Sequence, residues 1–190
     1  MKKANLRKFD PEKVGRLDAD MWRAYYNHQF FTLFRQLLLL VKYQLGLGWP
    51  LTIRLAYYAA WAATDYRIHK KKGTNNLHIL KNLTKFYGLI SKHSIEPFDY
   101  NKAAELELAW WEIHRKSYKN NPTLEKSLAD GAAAIYNVDS AKLATYAHYR
   151  AEAMILPRHE GDSSSNKTNW DEVTDMTIKS WQALYAAVQK

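Results

Sequence analysis

Two stretches of the chain set a histidine and a carboxylate at helical spacing. The first runs Ala103-Ala104-Glu105-Leu106-Glu107-Leu108-Ala109-Trp110-Trp111-Glu112-Ile113-His114-Arg115. On a helix, Glu107 and His114 (i, i+7) share a side with Ala104, Leu108, Trp111 and Tyr118, while Glu105, Glu112, Lys116 and Lys119 fall opposite. Glu107 and His114 are therefore expected to face inward. A buried carboxylate is costly unless it is paired, hydrogen-bonded or metal-bound, and Arg115 is one candidate partner. The second stretch is Tyr146-Ala147-His148-Tyr149-Arg150-Ala151-Glu152-Ala153-Met154, where His148 and Glu152 (i, i+4) can reach one cation.

If the helices bearing these stretches pack face to face, Glu107, His114, His148 and Glu152 converge on one or two metal ions. Imidazole with carboxylate suits iron, manganese or zinc, and such a centre in a bundle core could activate O₂ or water. The alternative is structural: a hydrogen-bonded core histidine and a surface helix pair. The chain has no Glu-x-x-His and no His-Glu-x-x-His, so the ferritin-like and zincin patterns are absent. Asp65 shares helical spacing with Trp61, Tyr58 and Arg54, and an ion pair to Arg54 or Arg67 is expected, the alternative being a fifth polar ligand of the site. Asp18 and Asp20 read as capping and dipole residues.

Aromatic residues are abundant, with 7 Trp, 13 Tyr and 6 Phe. Large rings with polar tips can line a pocket for a flat or hydrophobic small molecule, and Trp111, Tyr118, Tyr58 and Trp61 are the candidate lining. Charge is lopsided. Residues 1–95 carry 17 basic and 5 acidic side chains, residues 96–190 carry 11 and 14, and the whole chain stands at +9. Arg67, Lys70, Lys71 and Lys72 form the densest basic cluster and the candidate anion-binding site.

The elements that must position these residues are helical. Asp10-Pro11 opens a short turn that ends at Gly15, and Asp18 caps a long helix to about Leu45, with Gly46 as its stop. Trp22, Tyr25, Tyr26, Gln29, Phe30, Leu33, Leu37, Leu40 and Val41 mark its buried stripe. Pro50 opens a second helix to about Lys70, and a third spans about Asn76 to Ser91. Asp99 caps a fourth reaching about Tyr118, and Asn121-Pro122 starts a fifth. Asp139 or Ser140 starts a sixth, which ends before Pro157, and Asn169-x-x-Glu172 caps a last one. The fold expected is all-α, a single-domain bundle of six to seven helices over 1–190, with residues 1–16 as a peripheral arm and 158–167 as a flexible loop.

Phe30 to Leu47 is the most apolar stretch, yet Arg35 and Lys42 interrupt it, so it reads as a buried bundle helix rather than a membrane span. No apolar stretch follows the basic start before Asp10, which argues against a secretory signal. With no cysteine there is no disulfide framework or thiolate site, and a cytoplasmic location is expected. Glycine-rich phosphate loops and Gly-x-Ser-x-Gly are missing, so no nucleotide cofactor is expected.

Three functions fit. One is a metal-dependent oxidoreductase or hydrolase using Glu107, His114, His148 and Glu152. Another is a non-catalytic protein that binds a small molecule in an aromatic core. The third is a basic module for an anionic surface: nucleic acid, lipid head groups or an acidic protein.

Overall fold

The computed structural model describes residues 3–68, 76–116, 122–157 and 168–189, and among them the fold is all-helical, without strands. Eight helices follow in order: α1 (Pro11–Tyr26), α2 (Phe30–Leu45), α3 (Trp49–Ile68), α4 (Leu77–His93), α5 (Tyr100–Lys116), α6 (Pro122–Tyr136), α7 (Ala144–Ile155) and α8 (Trp170–Val188). A 3-10 turn, Ser140–Leu143, leads into α7. The loop expected at 158–167 lies outside the described residues.

The extra helix comes from the first 45 residues. Asp10 caps α1 through the amides of Glu12 and Lys13, Pro11 takes the first helical position, and the helix runs straight through Gly15. It stops at Asn27, because His28 turns left-handed at φ 57. There the amide of His28 donates to the Tyr25 carbonyl, and that of Gln29 to the Ala24 carbonyl at 2.9 Å. The long helix expected over Asp18 to Leu45 is therefore a helical hairpin. The expected stripe is interrupted at the turn, where Gln29 and Phe30 are exposed, and resumes toward the core with Leu37, Leu40 and Val41 of α2. Asn137 (φ 50) ends α6 in the same manner, and Gly46 (φ 64) ends α2.

Each helix packs on the next, and α8 closes back onto α1 to make a ring. Phe9, just before α1, meets Trp181 and Tyr185 late in α8, while Tyr26 at the end of α1 meets Trp170 at the start of α8. The two helices are thus antiparallel. His114 near the end of α5 reaches Trp22 late in α1 and the Met154 carbonyl late in α7. The ends of α1, α5 and α7 consequently meet at one pole of the ring.

Residues before α1 cover the other pole. Ala4, Leu6 and Phe9 are buried, and Ala4 exchanges backbone hydrogen bonds with His93 and Ile95 at 2.7 and 2.8 Å. The Arg7 guanidinium donates to Glu96 at 2.9 Å and to the carbonyls of Tyr136 and Val188. This segment, expected as a peripheral arm, ties the ends of α4, α6 and α8 together. A second departure concerns α2, read from sequence as a buried helix: it exposes Phe30, Phe31 and Phe34.

Gly15 fixes the approach of α1 to α8, since a Cβ there would stand 2.7 Å from the Ile178 Cα. Gly15→Ala should lower unfolding free energy by about 1–3 kcal/mol, because backbone cannot yield as a side chain would. Gly88→Ala should raise it by about 0.5–1 kcal/mol, because its Cβ would meet only Tyr100 at ordinary contact, 3.5 Å. Urea titration of the two variants checks the opposite signs, and a Gly15→Ala protein as stable as the parent would refute the close apposition.

Candidate functional site

The ring surrounds a cavity of about 670 Å³. One side of its lining is mostly apolar, with Leu33, Leu37, Leu40 and Val41 from α2 and Ala59 and Ala63 from α3, interrupted by Gln44 and Tyr66. The other carries Asp18, Tyr87, Glu107, Tyr136, Tyr146 and Arg150, among Trp22, Trp110, Trp111 and Trp181. His28, exposed at the α1–α2 turn, is also a lining residue, so the cavity reaches the surface there.

Glu107 sits within a cage of donors. The Tyr87 hydroxyl (3.0 Å) and the Trp110 Nε1–H (2.8 Å) donate to Oε2, and the Trp111 Nε1–H (2.9 Å) donates to Oε1. Trp110 and Trp111 lie three and four residues on, so one turn of α5 supplies the carboxylate and two of its donors. Burial raises the carboxyl above its ordinary value, although the three donors pull it back down. The Tyr87 phenol is in turn pushed well up, by burial first and then by the neighbouring Glu107.

Asp18, 1 % exposed, accepts from the Arg150 guanidinium and from the Trp181 Nε1–H at 2.7 Å. The cluster joins α1, α7 and α8. Burial works against the charge on Arg150, but Asp18 beside it more than offsets this, and the guanidinium is held above its ordinary value. Tyr146, one turn before Arg150, is raised to about 12 by burial. Tyr136 is raised further by burial, with Gln44 hydrogen-bonded to it.

The four expected metal ligands have different surroundings. Glu107 and His114 both line the cavity. His114 is buried as expected, and its Nε2–H donates to the Met154 carbonyl at 3.1 Å, which occupies that nitrogen. His148 lies on the outer side of α7, its side chain 55 % exposed, and bonds to Glu125 of α6 at 3.1 Å. Ala147, Ala151 and Met154 are among the buried positions of α7, so His148 and Glu152 belong to another side of that helix. Among the described residues no group of three or more His, Asp or Glu side chains is placed to hold a metal ion.

Arg115, one candidate partner of Glu107, also lines the cavity but donates to the Tyr66 carbonyl at 2.8 Å and lies over the Tyr66 ring. Of the expected pocket residues, Trp111 lines the cavity, whereas Trp61 is exposed on α3 and Tyr58 is half-buried outside the lining. Tyr118, Lys70, Lys71, Lys72 and the Arg67 side chain lie outside the described residues.

Sequence reasoning missed Asp18 and Arg150. Asp18 stands four residues after Val14 and four before Trp22, an inward register once α1 is seen to begin at Pro11. Arg150 is one turn from Tyr146 and from Met154, the inward register of α7, and that spacing is the signal that marks it.

Asp18→Ala leaves the Arg150 charge buried without its partner and should cost about 3–5 kcal/mol, whereas Asp18→Ala/Arg150→Met should recover part of that loss. Denaturant titration of the parent, the double variant and the two single variants Asp18→Ala and Arg150→Met tests this, and additive losses would remove the coupling. For Glu107 the native pKa lies above the unfolded value, so its contribution is full in acid. That contribution is lost as pH rises from about 4.5 through the native pKa. Relative to Glu107→Gln, the parent should therefore lose stability with rising pH across that window, and parallel pH profiles would contradict a desolvated carboxylate. No protein-family model, curated protein or solved structure matches this chain, and the site is read from its own geometry.

Proposed function

We propose that this chain binds a small, mostly apolar molecule within the ring, with an N–H or O–H donor of that molecule held at Glu107. The observation that carries the reading is the two-sided cavity. Its volume of about 670 Å³ is in the range of small-molecule sites, and such sites combine apolar walls with a few convergent polar groups.

The polar wall suggests the ligand's chemistry. An ionised carboxylate offers about four lone-pair directions, and three donors already approach Glu107. One direction remains for a ligand. Asp18 and Arg150 offset each other and Arg115, also in the lining, balances an ionised Glu107, so the wall calls for a hydrogen-bond donor rather than for a net charge. An amine on a hydrophobic body meets all of these conditions. Among the described residues the buried Trp22 Nε1–H has no hydrogen-bond partner, and it provides a donor for an acceptor on the same molecule. A metal-dependent reaction would need ligands that the described residues do not gather.

Thermal-shift and calorimetric titration with a series of hydrophobic amines tests the reading. A matching amine should raise Tm; Glu107→Gln should weaken binding at least ~10-fold, and Ala63→Phe should abolish it by filling the cavity while leaving the melt cooperative. Amines that bind Ala63→Phe as well as the parent would place the ligand elsewhere and defeat the proposal.

A further inference from the structure

The outward sides of α2 and α3 are apolar where a water-facing helix would be polar. Phe31 is 96 % exposed beside Phe30 and Phe34. On α3, Trp49, Ile53, Tyr57 and Trp61 recur every four residues, each about half exposed. They form a single ridge along the helix, roughly 18 Å long at 1.5 Å per residue. Isolated exposed apolar residues need no explanation, but a contiguous aromatic face marks a contact surface.

The charges around this face are mostly basic, with Asp65, one turn beyond Trp61, as the exception. From Met21 to Thr64 the chain has no Asp or Glu. Arg35 and Arg54 are exposed beside the aromatic residues. Lys13, Lys42 and Lys85 lie over the rings of Tyr43, Trp49 and Tyr58, at 3.4, 5.4 and 5.5 Å from the ring centroids. Tryptophan and tyrosine rings favour the boundary between hydrocarbon and water, and neighbouring cations favour anionic head groups. A second copy would press the same basic surface against itself. No helix among the described residues is long and apolar enough to cross a membrane.

We propose that the α2–α3 face docks peripherally on an anionic lipid bilayer, with the aromatic ridge at the head-group boundary and Arg35, Lys42 and Arg54 among the phosphates. The inner sides of the same helices line the cavity, so the docked face lies one helix layer from it. The proposal stands apart from the ligand reading, because vesicle binding requires no ligand.

Cosedimentation of the full chain with phosphatidylcholine vesicles, with and without phosphatidylglycerol, tests it. Binding to the mixed vesicles should weaken at least ~10-fold when phosphatidylglycerol is omitted or salt is raised. Arg35→Glu/Arg54→Glu should lose at least ~10-fold, and Trp49→Ser/Trp61→Ser a similar factor. These side chains are exposed, and circular dichroism and melting of each variant check that its fold is kept. Vesicles with brominated acyl chains should quench tryptophan emission of the parent more than that of Trp49→Phe/Trp61→Phe. Failure to sediment with the mixed vesicles, or binding indifferent to both substitution pairs, would overturn the proposal. A dimer in sedimentation velocity that Phe31→Ser/Trp61→Ser dissolves, without vesicle binding, would assign the face to a second copy instead.

Discussion

Eight helices that pack on their sequence neighbours enclose an axis that one layer of side chains must fill, and in this ring the side chains leave about 670 Å³ along it. Every polar group facing that axis is removed from bulk water and must find its partners on the inner wall. Glu107 finds them within its own helix and on α4, and Asp18 finds them on α7 and α8. One satisfied carboxylate thus ties α5 to α4, and the other ties α1 to α7 and α8. The same arrangement fixes which side of the cavity carries charge, because among the described residues no charged side chain from α2 or α3 lines it.

Much of the architecture was legible in the sequence. Asp10-Pro11, Asp99 and Asn169 act as the helix starts their types suggest, and Gly46 ends α2. The α1–α2 turn was not legible. Its residue in left-handed conformation is a histidine, and the three-and-four spacing of large residues continues through it in the sequence although Gln29 and Phe30 are exposed. Gly15 was misleading for a related reason: it serves the approach of Ile178 rather than a helix end.

The site was legible in part. Periodicity placed Glu107 and His114 inward correctly, because it needs only one helix to decide. It could not name their partners, which lie on other helices or, for Met154, on the backbone. The His148–Glu152 spacing was real, but a pair at i, i+4 carries no information on which side of the helix meets the core. Tyr136 and Tyr146 lacked any signal of their own, being two of 13 tyrosines.

Along most of the ring, contacts are local in sequence, so successive helices can dock as the chain lengthens. The junction of α1 with α8 is different. Gly15 meets Ile178, Phe9 meets Trp181, and Arg7 reaches the Val188 carbonyl, each across most of the chain. Closing so long a loop costs roughly 2 kcal/mol more than closing a hairpin-sized one. Until α8 arrives, Val14 and Ala19 on α1 face water, and the assembly is an open arc with one apolar edge at each end. An α8 from another molecule fits that edge as well as the chain's own, so at high concentration during refolding the edge is where two molecules would exchange a helix and interlock.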